Sequence, residues 1–294
     1  MPSRFDRRLR TARTLTGAGL LLALAGCGTV VLNETGSLSR YDRLAASEEV
    51  ATRSRLYADP AALSQARTVR IVPTRFPESV SGPGLNAVER RLIANAADRA
   101  LCYELSLRYD VVSTKSADLT VRAAVTRIDL TNVPAAGATI ATSAGITIAS
   151  QVGVGFATSV GRVPIPRIPV GLGSLTVEAE AVDRRNRQRA AMIWGGAANA
   201  FTNQARFSAA SDAYDLAGEF GQDLGTFLVT GKDPFKLPLA IPNYNRIRVT
   251  TLGEAPLDPD CEAFGRAPGV DGIIGDYIGL PPDWTDKGAR TPVN

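Results

Sequence analysis

Two stretches of this chain alternate apolar and polar residues with a period of two. Leu119, Val121, Ala123 and Val125 are interleaved with Thr120 and Arg122, and Leu175, Val177, Ala179 and Ala181 with Glu178 and Glu180. Successive side chains of a strand project to opposite faces, so this pattern describes a sheet with one buried face. On that pattern Glu178 and Glu180 belong to a solvated outer face. Asp183 to Arg189 reads as a polar turn and Ala190 to Trp194 as the returning strand, which makes a hairpin. Trp194, ending that strand, is read as core. Thr68 to Val72 reads as an earlier strand stopped by Pro73, and Val111 with Val112 as a short one. The alternation changes phase at Ile128 and Leu130, which predicts a bulge or a strand end.

Two segments change to helical spacing. Asn86 and Glu89 have the spacing of a capping box, and Val88, Leu92, Ala96, Leu101 and Leu105 follow it, predicting a helix over 87–106. Leu216, Phe220, Leu224, Phe227 and Leu228 form the stripe of a second helix over 209–229, with Gly231 as its C-cap. Asp212 and Asp215 lie near its N-terminus, where the helix dipole favours acids. The order strand, helix, strands, hairpin, helix predicts an α+β fold. It has a mixed or antiparallel sheet with the two amphipathic helices on one face. From Lys232 onward prolines punctuate the chain, predicting an irregular Pro-rich extension over 232–294, with Arg246 to Thr251 as one further strand.

The N-terminus carries an export signal. Arg4, Arg7, Arg8, Arg10 and Arg13 precede an apolar run from Leu15 to Ala25, too short to span a membrane, and then Leu24-Ala25-Gly26-Cys27. Small residues before a cysteine suit cleavage and acylation of the thiol, and the pattern resembles the bacterial lipobox. The expected organisation is a signal peptide over 1–26, a lipidated Cys27 with a tether over 27–47, an α+β domain over 48–231, and the C-terminal extension. Gly28 in place of aspartate favours the outer membrane, with the domain on the periplasmic side.

Removing the signal also removes the apparent basicity. The chain has 33 basic and 29 acidic residues, of which the first 26 positions hold five arginines and one aspartate, leaving 28 of each. A balanced mature chain offers no electrostatic argument for nucleic-acid binding. The two remaining cysteines, Cys102 and Cys261, would lie in an oxidising compartment, where a pair is more often a disulfide than a metal site.

Gly36-Ser37-Leu38-Ser39-Arg40-Tyr41 after the lipobox, the Tyr57-to-Val72 stretch, and Val177-Glu178-Ala179-Glu180-Ala181-Val182-Asp183 before the later helix together resemble the DUF3313 family of proteobacterial lipoproteins. The resemblance covers residues 36 to 230 and implies a location and a fold but no reaction. At fold level the architecture is also similar to periplasmic domains of the CsgG and TolB N-terminal kind.

No catalytic constellation is legible. The chain has no histidine, which removes the usual general base and the usual metal ligand. Val270-Asp271-Gly272-Ile273-Ile274-Gly275-Asp276 lacks calcium-loop spacing, and Gly171-Leu172-Gly173 lacks a phosphate-loop frame. No catalytic residue, metal site or cofactor is expected. Arg184, Arg185 and Arg187, with Arg189, form the densest charge cluster. They suit either contact with anionic headgroups or a partner, or simply a solvated hairpin tip.

Residues 130–161 carry no charge over 32 positions. Ile140, Ile146, Ile148, Val152, Val154, Phe156 and Val160 share one side of a two-residue period, as a membrane hairpin over 140–148 and 152–160 would require. Ile140, Ala144, Ile148, Val152, Phe156 and Val160 are equally spaced by four, as a helix would require. The pattern leaves open a segment packed on its own domain, a membrane- or partner-facing surface, and a barrel closed by several subunits. The functional expectation is a lipid-anchored envelope protein that binds or scaffolds other components, partnered with the membrane through its anchor and not an enzyme. The alternative is a CsgG-like assembly subunit inserting 137–160.

Overall fold

The computed structural model describes residues 30–48, 52–77, 80, 84–114, 116–141, 167, 170–200, 203–238 and 242–287. Cys27 and most of the uncharged segment lie outside them. The strands are β1 (Ala45–Glu48), β2 (Thr52–Ala58), β3 (Thr68–Arg75), β4 (Asp110–Val111), β5 (Leu119–Asp129), β6 (Ser174–Asp183) and β7 (Gln188–Ala197). They form one mixed sheet in the order β1-β2-β7-β6-β5-β3-β4. β3 pairs in parallel with β4 and β5, and the other neighbours are antiparallel. β3 runs past Pro73 because its register with β5 shifts between Val72 and Arg75, where a residue without an N–H disturbs little. The phase change expected at Ile128 and Leu130 follows a second register shift, which lies just before them between Val125 and Arg127.

Among the described residues the helices include α1 (Pro60–Gln65), α2 (Ala87–Ser106), α3 (Ser211–Thr230) and α4 (Gly269–Ile278). α2 begins with the predicted capping box. The Asn86 side chain accepts from the Val88 and Glu89 N–H groups, and Glu89 accepts from Asn86 N–H. α3 ends at Gly231, whose φ of 64° suits a residue without Cβ. α2 and α3 pack together on one face of the sheet. Leu101, Leu105, Leu216, Phe220 and Leu224 meet Val121, Val177, Met192 and Trp194 in a single core. Trp194 is fully buried, stacks edge-on to Phe220 at 5.8 Å, and donates its indole N–H to Asp223 at 2.8 Å. The helices cross where α3 has glycine: a Cβ at Gly221 would stand 2.2 Å from the Ala97 carbonyl oxygen.

Four expectations are corrected. Residues 30–44 are not a free tether but lie across the second face of the sheet. Val30 and Leu38 are buried, and Leu38 packs on Ala191 and Ile193. Glu178 and Glu180, read as solvated, are each only 1% exposed beneath this strap. Residues 246–251 form no strand: Tyr244–Arg246 is a helical turn continued by a π-type turn over Ile247–Thr251. The C-terminal region is largely helical rather than extended, because its prolines stand at helix starts. Pro234, Pro259 and Pro282 each occupy a first-turn position, where a missing N–H costs nothing. Cys102 on α2 is bonded to Cys261 in the 3-10 turn Pro259–Phe264, with Cα atoms 5.8 Å apart, and this fastens the region to the core.

Residues 133–141 are helical, so Ile140, within the uncharged segment, lies on a helix rather than a strand. Ile146, Ile148, Val152, Val154, Phe156 and Val160 lie outside the described residues. Among the described residues no helix is long and apolar enough to cross a membrane.

Candidate functional site

The strap and the outer face of β6 build one polar site. A strand buried on both faces must satisfy any carboxylate it carries, since an unpaired buried charge is costly. Glu178 accepts from the Thr35 N–H at 2.8 Å, the Ser37 N–H at 3.1 Å and the Tyr41 hydroxyl at 2.7 Å. Tyr41 Oη in turn accepts from the Gly36 and Leu38 N–H groups at 2.8 and 3.1 Å. Glu180 accepts from the Ser39 N–H and Oγ, both at 2.9 Å, from Gln188 Nε2 at 2.9 Å and from Arg122 Nε at 2.7 Å. Burial pushes the Glu180 carboxyl up, but the donors from Ser39, Gln188 and Arg122 outweigh it and hold the group below its ordinary value. Burial, and the hydrogen bond to Glu178, raise the Tyr41 hydroxyl.

Beside the strap runs a cleft of about 630 Å³. Its walls are Thr35 to Ser39 on one side and Arg75, Phe76, Pro77 and Val80 on the other, over a floor of Arg122, Ala124 and Thr126 from β5. Arg122 links the two features, holding Glu180 and donating to Ser39 Oγ at 2.9 Å. The carboxylates are occupied by neighbouring donors, so they hold the strap rather than face a reactant. The cleft itself offers guanidinium groups, hydroxyls and a short apolar wall. That combination suits recognition of a polar or anionic group carried on an apolar body. Among the described residues no group of three Cys, Asp or Glu side chains could hold a metal ion.

The other candidate residues are dispersed. Arg184 pairs with Asp118 at 2.9 Å and Arg187 with Asp183 at 2.9 Å, while Arg185 donates only its backbone N–H to Asp183. The hairpin tip thus spends much of its charge on local partners. Cys102 and Cys261 sit on the helix side, away from the cleft. Sequence reasoning missed the roles of Tyr41, Ser39 and Arg122. The signal available was β7: Ala190 to Trp194 is apolar at every position, as a strand buried on both faces requires, so something had to cover the outer face of its neighbour.

The profile of the DUF3313 family, described as a protein of unknown function, matches residues 33–224. The chain belongs to the DUF3313 family. The DUF3313 span includes strap residues 33–44, Arg122 and both buried glutamates, so two of the motifs that carry the resemblance, 36–41 and 177–183, meet in space as one site. It ends before α4. No match was found among curated proteins. Solved structures similar to the chain include the following two. One is the PelC dodecamer from Paraburkholderia phytofirmans, at 13% identity and TM-score 0.33, covering 57% of this chain and 96% of that one. The other is a DUF4136 family protein from Bacteroides thetaiotaomicron, at 11% identity and TM-score 0.31, covering 63% and 100%. Likeness at this level carries no inference about assembly or partner.

Proposed function

We propose that this DUF3313 protein is a lipid-anchored envelope protein of the outer membrane that binds another envelope component without catalysing a reaction. The observation that carries the reading is the strap. Residues 30–41 are fastened to Glu178 and Glu180, so the acylated Cys27 stands three residues from the folded domain and holds it close against the bilayer. The cleft beside the strap is the binding surface, and Arg75 and Arg122 select a polar or anionic group on the ligand.

Labelled palmitate should enter the native chain and be absent from Cys27→Ala. A photo-crosslinking side chain at Thr126, on the cleft floor, should capture a discrete component in intact cells, and one at Leu107 should not. Labelling of Cys27→Ala, or identical capture at both positions, would refute the reading.

A further inference from the structure

Helix α4 presents its apolar stripe outward. Val270, Ile273, Ile274, Tyr277 and Ile278 recur at the i, i+3, i+4, i+7, i+8 spacing that faces the core in most globular helices. Here each is 49–62% exposed, and Trp284 beyond the helix is 62% exposed. The inward side is Gly269, Gly272 and Gly275, all buried. A Cβ at Gly275 would meet Thr285 Cγ2 at 2.6 Å, so the glycines allow close seating of the helix that a bulkier inner face would prevent. Its orientation is held from several sides. Asp276 pairs with the buried Arg206 at 2.7 Å, Gly279 caps the helix at φ 79°, and the Gly279 carbonyl accepts from Phe207 N–H at 2.9 Å.

The place of this face in the fold indicates what covers it. The strap packs Val30 and Leu32 on Gly195, then passes Glu178 and Glu180, and its Arg40 carbonyl reaches Gln188. It therefore enters at the sheet end where Asp129, Ser174 and Ala197 are paired. The N-terminus of α3 is at that end too, with Asp212 accepting the Gly173 N–H at 2.8 Å. Arg206 and Phe207, just before α3, hold α4 there. Ile140, within the uncharged segment, lies against Gly279. Three residues span at most about 10 Å, so a lipid anchor at position 27 would act on this end of the sheet.

We infer that the exposed face of α4, with Trp284, rests in the interfacial layer of the bilayer to which the chain is anchored and so sets the domain's orientation. This rests on the proposed lipid anchor for its location. An amphipathic helix with aromatic residues at its rim is suited to such contact. The helix carries Asp271 and Asp276 and no basic residue. Its attraction to the surface is therefore hydrophobic, needing neither anionic lipid nor low salt.

The test uses the mature chain with Cys27→Ser, mixed with phosphatidylcholine vesicles, with and without phosphatidylglycerol, at low and high salt. Trp194 is fully buried, so a change in tryptophan emission reports Trp284. The expected result is co-sedimentation with both vesicle types at both salt concentrations, a blue shift, and quenching by bromolipid. Ile273→Glu with Ile274→Glu should weaken binding about tenfold or more with unchanged melting, whereas Leu107→Glu, at the far end of α2, should not. Absence of binding, binding only to anionic vesicles at low salt, or a dimer by light scattering that the double variant dissociates would each overturn the inference. Palmitate labelling of the native chain reads the anchor separately. A labelled chain whose Cys27→Ser form ignores vesicles overturns this face and leaves the anchor in place.

Discussion

The hydroxyl of Tyr41 donates to Glu178 at 2.7 Å across 137 positions of sequence, and two backbone N–H groups of the strap converge on the same oxygen of Tyr41. The tyrosine thus relays strap donors to a carboxylate that only a central strand could bury. Removing it leaves two N–H groups and one carboxylate oxygen short of a partner, and the loss should reach every residue from Thr35 to Ser39.

Tyr41→Phe should therefore destabilise the fold by about 1–3 kcal/mol, the range for losing a hydrogen bond to a charged group, here the buried Glu178 carboxylate. The effect is local first. Amide exchange over 30–41 should accelerate more than exchange in α2 or α3. Equal acceleration throughout, in a denaturant series at matched stability, would show that the strap is not a separate unit.

The Cys102–Cys261 bridge spans 159 positions and closes most of the domain. Loop-closure entropy alone would give about 5 kcal/mol for a loop of this length, and bridges typically realise about 2–4 kcal/mol. Cys102→Ser with Cys261→Ser should lower the melting temperature and expose 232–287 to protease before the sheet. Mass mapping without reductant should find the native cysteines paired.

Asp98 on α2 is buried, and its carboxylate accepts from the Thr74 N–H at 2.9 Å and Oγ1 at 2.6 Å. Burial raises its pKa to about 7 from 3.8, against the opposing hydrogen bonds from Thr74. A raised carboxyl pKa means that the folded state holds the proton more tightly. Its stabilising contribution is complete below pH 3.8 and lost as pH rises through 7. Each unit corresponds to about 1.4 kcal/mol. Asp98→Asn cannot ionise. Its stability should fall less than that of the native chain between pH 4 and 8, measured as unfolding free energy at each pH. A parallel pair of curves would rule out this titration.

Gly221→Ala should cost about 1–3 kcal/mol despite the better helix propensity of alanine, because the added methyl meets the Ala97 carbonyl, which cannot rotate away. Gly218→Ala is the control: nothing lies within 4 Å of its would-be Cβ, and it should be neutral or stabilising.

Much of the framework was legible along the chain. α2 was read at its observed limits because Asn86 and Glu89 act within one turn, and α3 and its Gly231 cap were read from a stripe and a terminus that are equally local. β5 and β6 were visible because their inner faces are apolar at alternate positions. The error at Glu178 and Glu180 has the same origin as these successes. Alternation shows which side of a strand differs from the other, and it cannot show whether the polar side meets water or a second layer of chain.

The sequence by itself therefore determined the two long helices, β3 and the β5 to β7 segments, the fold class and the family, since caps, periodicity and the 33–224 match are properties of neighbouring residues or of their order. Tertiary structure decided which polar residues are buried, where the strap lies, and that α4 turns its isoleucines outward. Those outcomes depend on partners from about seventy to more than a hundred positions away, and on the close approach of backbone at glycines. No window along the chain contains both halves of such a contact.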